Sequence, residues 1–178
     1  GERTFGTYLV AAASLLPEDL DEEIFSQYQY LYIEGYLVQN LDLIETALKM
    51  AKKTGLKIAL DLASYNIVEE NREFLIKVIP EYVDILFANE EEIKTLLNIS
   101  PEEAIDKLEG QSEICVIKVG AKGSWVRKAT EKVFVPSKQV NCIDTTGAGD
   151  YYAAGFLFGL IHGMPLLELS LFHSCCFL

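Results

Sequence analysis

The segment from Asp144 to Asp150 reads Asp-Thr-Thr-Gly-Ala-Gly-Asp, a run of small residues with an acid at each end. Because Gly147 and Gly149 carry no side chain, the backbone here can come close to a ligand. The strongly apolar residues that begin at Ala148 predict a buried helix, so the N–H groups of residues 147–150 are unpaired donors of its first turn. With the helix dipole, these donors predict a site for a phosphate or for the negative charge that develops during group transfer.

Asp150 places an acid inside this predicted anion site. Its carboxylate would repel a bound phosphate, which a simple phosphate-binding site would not favour. A catalyst would use the same carboxylate to orient or deprotonate an attacking hydroxyl group. The alternative is an ordinary first-turn acid that complements the helix dipole, and for an aspartate in general that alternative is the more common one. The company of Thr-Thr-Gly-Ala-Gly favours catalysis here.

Asn89 and Glu92 form a second candidate pair, three residues apart at the start of a predicted helix. An amide and a carboxylate on one face could hold a hydrated Mg²⁺. They fit equally well as a helix cap with first-turn acids, and the spacing alone does not separate the two. Lys118 could neutralise a phosphate, although lysines are common at strand edges. Gly120 permits either a tight turn near phosphates or a simple hairpin.

Strands and helices alternate in the part of the chain that must position these residues. Near-continuous apolar runs predict strands, and apolar residues at helical spacing predict helices between them. Pro80 is expected to end the second of these helices. The predicted strands are 30–33, 57–62, 83–88 and 113–119, and the predicted helices are 40–54, 67–79, one from 90 and 101–109. This order predicts right-handed βαβ units, a mainly parallel central sheet and helices on both faces.

The remaining segments extend this α/β pattern. A strand is expected over 4–10, short strands near 125–126 and at 132–135 (the last antiparallel), and another strand over 140–143. Apolar helices follow over 148–162 and after Pro165. In parallel sheets the ligand lies beyond the carboxyl ends of the strands. Since Asp61, Asn89, Gly120 and the loop 144–150 all follow such ends, the sequence predicts one shared crevice.

Composition excludes several classes of protein. The chain has 178 residues, half of them hydrophobic, which indicates one domain over 1–178. Fifteen basic and 27 acidic residues give a formal net charge of −12, which argues against a nucleic-acid or anionic-membrane surface. The four cysteines show no zinc-ligand spacing. Since there is also neither a signal peptide nor a run long enough to cross a bilayer, a cytoplasmic protein with reduced thiols is expected.

Three motifs in order now carry a resemblance: Asn89 to Glu92, Lys118 to Ser124, and Asp144 to Asp150 followed by Ala-Ala-Gly-Phe over 153–156. Together they resemble the signatures of the ribokinase-like (PfkB-type) carbohydrate and nucleoside kinases, and the third motif is highly specific. Residues 1–4 and 34–37 are most similar to the adenosine-kinase-like branch of bacterial sugar kinases. The resemblance implies an ATP-dependent phosphotransferase with a three-layer α/β/α sandwich and a small β-sheet lid.

The same resemblance implies roles for individual residues. Asp150 would remove the proton from a sugar or nucleoside hydroxyl group, while Gly147, Ala148 and Gly149 would form the anion hole for the transferred γ-phosphoryl group. Asn89 and Glu92 would organise Mg²⁺ and the phosphates through water. Gly120, Lys118 and Thr146 would border the nucleotide, and Asp144 matches a position that helps some members bind a monovalent cation such as K⁺. Together, these ten residues form the predicted site.

The sequence also departs from the family pattern. Members are longer, and the Gly-Gly substrate motif of their N-terminal part and much of their lid are not found here, so a central-to-C-terminal fragment with weak or no activity of its own is expected. The acceptor stays open between sugars and nucleosides, and a homodimer formed through the lid is possible. The alternatives are a catalytically silent nucleotide- or sugar-binding protein and a dinucleotide-dependent oxidoreductase. The oxidoreductase is disfavoured because no G-x-G-x-x-G follows the early strands.

Overall fold

A computed structural model describes residues 11, 14–138 and 146–171 of the chain. Its strands form one six-stranded sheet in the sequential order β1-β2-β3-β4-β5-β6. The strands are β1 (Tyr30–Glu34), β2 (Lys57–Asp61), β3 (Ile85–Asn89), β4 (Ile114–Lys118), β5 (Gly123–Lys128) and β6 (Glu131–Pro136). The first four are parallel, and β5 and β6 are antiparallel additions at one edge. The predicted strands over 4–10 and 140–143 lie outside the described residues.

The helices between β1 and β4 connect the parallel strands, and the last two helices cover the opposite face of the sheet. They are α1 (Glu22–Phe25), α2 (Leu41–Thr54), α3 (Tyr65–Glu70), α4 (Arg72–Tyr82), α5 (Glu90–Leu97), α6 (Pro101–Lys107), α7 (Ala148–Ile161) and α8 (Leu166–Leu171). Since every crossover from β1 to β4 advances to the next strand in the same direction, right-handed connections place their helices on one face. The segment after β6 supplies α7 and α8.

Alternate residues of the strands divide the core into two layers. On one face, residues such as Ile58, Leu60 and Ile117 join a cluster with the helices from α2 to α6. On the other face, Ala59, Phe87, Val116 and their neighbours pack against the buried side of α7 and α8. This period-2 alternation of a sheet buried on both faces gives the three-layer α/β/α sandwich that the sequence predicts.

Helix ends follow the local capping chemistry. Asn40 caps α2 by accepting a hydrogen bond from the N–H of Leu43 (3.2 Å), and Gly55 ends that helix with a φ of 81°. Ser100 and Glu103 form a capping box at the start of α6, with proline at the first helical position. These caps explain why the predicted bounds of α2 and α6 agree with the structure to within about two residues.

The predicted helix 67–79 is wrong in detail. Two helices, α3 and α4, replace it, because Asn71 between them leaves the helical conformation (φ −117°, ψ 21°). Pro80 lies inside α4 and does not end it, because burial of the apolar side of the helix stabilises it despite the hydrogen bond that the proline removes. Strand β3 accordingly starts at Ile85, two residues later than predicted. Within the described residues, no helix is long and apolar enough to span a membrane.

Candidate active site

The carboxyl ends of the four parallel strands carry a row of polar side chains. Glu34 on β1 is paired in register with Asp61 on β2, and Asn89 on β3 is paired with Lys118 on β4. Along each strand, successive side chains point to opposite faces of the sheet. Asp61 therefore lies on the same face as Ala59, which α7 covers, and Lys118 lies on that face as well. The parallel order of β1 to β4 therefore brings residues from distant parts of the sequence together beside α7, at the edge of the sheet that the carboxyl ends of these strands form.

An ion pair crosses this edge from β4 to β2. The ammonium group of Lys118 donates to the Oδ2 atom of Asp61 over 2.9 Å, and both side chains are largely shielded from solvent, at 17% and 7% exposure. The Oδ1 atom of Asp61 accepts a hydrogen bond from the N–H of Ala63 (3.0 Å). Ala63 has a left-handed φ of 62°, so the carboxylate also fixes the turn after β2.

The first turn of α7 lies against this ion pair. Gly147 caps the helix with a φ of 75°, and none of the described side chains supplies a cap hydrogen bond. Among the residues that the structure describes, a Cβ atom built on Gly149 would have one neighbour within 4 Å outside its own helical turn, the Nζ atom of Lys118 at 3.4 Å. The Lys118 ammonium group and the N–H groups at the start of α7 thus point positive charge at the same small region. That arrangement suits an anion.

Asp150 is the exposed third residue of α7, at the same edge. Its charge reaches the row of polar side chains. Burial and the charges of Asp61 and Asp150 raise the pKa of Glu34, although a hydrogen bond from Tyr32 acts in the opposite direction. The pKa of Tyr32 is raised as well, mostly by burial and by the same two aspartates together with Glu34. Acidic groups therefore surround the Lys118 ammonium group on the side of β1.

Asn89 and Glu92 form a capping box at the start of α5. The Oδ1 atom of Asn89 accepts from the N–H groups of Glu91 and Glu92 (both 2.9 Å). The Glu92 carboxylate in turn accepts from the N–H and the side-chain amide of Asn89 (both 2.7 Å). Burial raises the pKa of Glu92 to about 7. These contacts match the cap arrangement, and the assignment of the pair to Mg²⁺ stays a prediction.

Comparison with known proteins identifies the family. The family model described as pfkB family carbohydrate kinase matches residues 1–172. The chain belongs to the pfkB family of carbohydrate kinases. This membership agrees with the resemblance carried by the three motifs and with the three-layer fold.

Relatives of this pfkB-family chain include enzymes with different acceptors. A 5-dehydro-2-deoxygluconokinase of Geobacillus thermodenitrificans is 28% identical over 170 residues, which cover 88% of this chain and 50% of the relative. An adenosine kinase structure from Sinorhizobium meliloti is 32% identical with a TM-score of 0.83, over 90% of this chain and 51% of that one. A Ribokinase II from E. coli, solved in complex with ATP and Mg²⁺, is 25% identical with a TM-score of 0.79, over 89% and 54%. The chain spans about half the length of these relatives.

The remaining predicted residues of the pfkB-family chain are placed as follows. Thr146 is exposed directly before α7, and Gly120 opens the turn between β4 and β5 with a φ of 57°. Asp144 lies outside the described residues. Sequence reasoning missed Glu34 and Tyr32, whose hydroxyl group donates to the Glu34 carboxylate over 3.1 Å. The rule that found the other strand ends also applies to Glu34, which ends β1, so the signal was present.

Proposed function

We propose that this pfkB-family chain belongs to an ATP-dependent kinase that transfers a γ-phosphoryl group to a hydroxyl group of a sugar or nucleoside. One observation carries the proposal: the Lys118 ammonium group, the first turn of α7 and Asp150 meet at one edge of the sheet. Phosphoryl transfer depends mainly on positioning and on positive charge around the transferred group, with a base at the attacking hydroxyl group. The edge offers both kinds of group side by side.

In this proposal Asp150 takes the proton from the acceptor hydroxyl group. Because Asp150 is exposed on the first turn of α7, an acceptor can reach its carboxylate. Carboxylates are weak bases, but a weak base is sufficient when the proton leaves late in a loose transition state. The N–H groups of Gly147, Ala148 and Gly149 donate hydrogen bonds that stabilise the negative charge of the transferred group. Space beside Gly149 supports this role, since the packing of the described residues does not require a glycine there.

ATP would supply the phosphoryl group and Mg²⁺ would neutralise phosphate charge when both are bound, and the related Ribokinase II structure contains ATP and Mg²⁺. The donor set of this chain fits an ion held mainly by phosphate and water. Among the described residues no group of three or more His, Cys, Asp or Glu side chains could hold a metal, and the Glu92 oxygens are already engaged by Asn89. We therefore place Asn89 and Glu92 beside the ion through water, with Lys118, Gly120 and Thr146 bordering the nucleotide. A K⁺ ion near Asp144 remains a prediction.

The proposed acceptor is a sugar or a nucleoside. One relative is named for a sugar acid and another for adenosine, so both sugars and nucleosides are candidates. The test is a panel of sugars, sugar acids and nucleosides offered with Mg-ATP to the full-length protein. Phosphorylation of a member of the panel is expected. Nucleotide binding without transfer to any acceptor would instead support a catalytically silent binding protein.

A further inference from the structure

The ion pair between Lys118 and Asp61 points to a role for an acid that the proposed function leaves unused. We infer that Asp61 is a positioning residue, which holds the Lys118 ammonium group against the first turn of α7, where the transferred phosphoryl group is bound. The inference rests on the proposed function and names one residue that acts in it. Asp61 would determine where the Lys118 ammonium group lies, and it is not the source of the positive charge.

Geometry shows why Lys118 needs an anchor. Its strand, β4, is separated from β2 by β3, so the lysine side chain crosses one strand to reach the Asp61 carboxylate. Neighbouring strands lie about 4.8 Å apart, so the crossing extends over roughly 10 Å. A lysine side chain has four flexible methylene groups, and fixing it in one conformation is costly in entropy. A specific, nearly buried acceptor at the end of that reach selects one position for the ammonium group.

Electrostatics gives a second reason. The positive end of a helix dipole disfavours a nearby cation, so an unanchored Lys118 would move away from α7. The ammonium group nevertheless lies 3.4 Å from the Cβ position of Gly149. The attraction of Asp61 at 2.9 Å offsets the unfavourable placement in the absence of an anion. A bound phosphoryl group would then meet a cation that is already in place, which is the advantage that preorganised charge gives to catalysis.

The anchor itself is rigid. While Oδ2 accepts from Lys118, Oδ1 accepts from the Ala63 N–H in the turn after β2. The main chain of Asp61 is fixed from the other side, because Gly35 approaches so closely that an added Cβ atom would lie 2.7 Å from the Asp61 carbonyl oxygen. A carboxylate held in this way cannot follow a moving lysine. Lys118 therefore takes its position from Asp61.

A double-mutant cycle on the full-length protein tests the inference without requiring catalysis. Inorganic phosphate is titrated against the wild type, Asp61→Asn, Lys118→Gln and the double variant, and binding is followed by NMR at the amide signals of the first turn of α7. The Asp61→Asn change keeps an oxygen for the Ala63 N–H, so the turn is retained. Lys118→Gln should weaken phosphate binding about tenfold when Asp61 is present, and about threefold or less in the Asp61→Asn background.

The opposite result would overturn the inference. If Asp61 only neutralised Lys118, its removal would free the full lysine charge, and Lys118→Gln would then matter equally or more in the Asp61→Asn background. Absence of phosphate binding to the wild type, or loss of folding in Asp61→Asn, would also contradict it. Asp84→Asn is the matched control, because Asp84 likewise joins a lysine (Lys52, 2.9 Å) to a backbone N–H, at the opposite edge of the sheet. That variant should bind phosphate like the wild type.

Kinetics separates this inference from the proposed function. If the wild type phosphorylates an acceptor, Asp61→Asn should lower kcat about 10- to 100-fold, and the double variant should be no slower than Lys118→Gln alone. If no acceptor is phosphorylated but the phosphate cycle shows the expected coupling, the kinase proposal fails and the positioning role of Asp61 stands. Additive effects on kcat would contradict the positioning role while leaving the kinase proposal intact.

Discussion

Among the described residues outside its own helical turn, a methyl group added to Gly149 would have a single neighbour within 4 Å, the Lys118 ammonium group at 3.4 Å. Gly149 also lies inside a helix, where alanine is the better helix former by about 1 kcal/mol. Gly149→Ala should therefore leave the free energy of unfolding unchanged or raise it by up to about 1 kcal/mol. It should nevertheless lower phosphoryl transfer, because the methyl group occupies the approach to the first-turn N–H groups. Urea unfolding and a transfer assay measure the two effects, and a clear loss of stability would contradict this prediction.

Gly35 is a glycine for the opposite reason. A Cβ atom there would lie 2.5 Å from the Leu62 carbonyl oxygen and 2.7 Å from that of Asp61, both fixed backbone atoms at the end of β2. Gly35→Ala should destabilise the fold by about 1–3 kcal/mol, since the turn after β1 must shift away from β2. A lower midpoint of urea unfolding is the expected measurement. A midpoint equal to that of the wild type would show that the two segments separate more easily than their contact indicates.

Local arrangements of residues were predictable from the sequence where one segment supplied both parts of an arrangement. The chain from Asn89 to Glu92 contains a whole capping box, and the chain from Gly147 to Asp150 contains the start of α7 with its acid. The contact between Asp61 and Lys118 was not predictable, because it depends on which strands flank β3. Strand order is a property of tertiary packing, and no local pattern in β2 or β4 specifies it.

At the scale of elements, Asp84 ties α2 to the amino-terminal edge of the sheet. Its carboxylate accepts from Lys52 of α2 (2.9 Å), from Lys57 of β2 (3.1 Å) and from the Ile58 N–H (2.8 Å). Burial would raise the pKa of Asp84, but these hydrogen bonds outweigh it and lower the pKa below its ordinary value. The stabilisation is therefore present above the unfolded-state pKa of about 4 and is lost as the pH falls through the lower pKa of the folded state.

Replacement of Asp84 tests this connection. Asp84→Asn should reduce the free energy of unfolding at pH 7 by about 1–3 kcal/mol, because two lysine ammonium groups lose the negative charge of their acceptor. The difference from the wild type should shrink as the pH falls below about 4. Urea unfolding across this range is the measurement. Glu45→Gln, which breaks the exposed pair with Lys49 on α2, should barely move the midpoint. A loss for Asp84→Asn that is independent of pH would contradict the linkage.

Element types and most bounds were predictable, and the exceptions have local causes. Continuous apolar runs fixed β2, β3 and β4 to within about two residues, because a strand buried on both faces has few alternatives. The break between α3 and α4 was missed, since apolar spacing continues across Asn71 and only its backbone conformation shows the interruption. The expected helix end at Pro80 was wrong because tertiary packing, which the local sequence does not show, keeps α4 helical past the proline.

At the scale of the whole molecule, the sheet joins two core layers that should unfold together. Phe156 of α7 is fully buried and packs edge-on against Phe87 of β3, with ring centroids 5.5 Å apart. Trp125, the single tryptophan, packs against the core cluster of the opposite face. Phe156→Ala should cost about 3–5 kcal/mol through the lost contacts and the cavity.

The same variant reports cooperativity. If one domain unfolds in a two-state transition, Phe156→Ala should shift the urea midpoint of Trp125 fluorescence and that of far-UV circular dichroism by the same amount. Ile161→Ala is the control, since Ile161 is also on α7 but more than half exposed, and it should shift both midpoints far less. Separate transitions for the two signals would show that the layers unfold independently.

Electrostatics at this scale also bears on function. The chain carries a formal net charge of −12, yet an anion is proposed to bind at one edge of its sheet. The proposal depends on local donors, namely the first turn of α7 and Lys118, which act at short range where the distant acids are screened by salt. Asp150 is an acid near this region, and the proposal assigns it to the attacking hydroxyl group and not to the phosphoryl group.

The kcat of Asp150→Asn for phosphoryl transfer, in the full-length protein, tests the central claim most directly. Asp42→Asn is the matched control, because Asp42 is an exposed first-turn aspartate of α2 with the same relation to a helix dipole. We predict that Asp150→Asn lowers kcat about 10²- to 10⁴-fold while nucleotide affinity is kept, and that Asp42→Asn leaves kcat unchanged. A kcat for Asp150→Asn close to that of the wild type would contradict the assignment of Asp150 as the base.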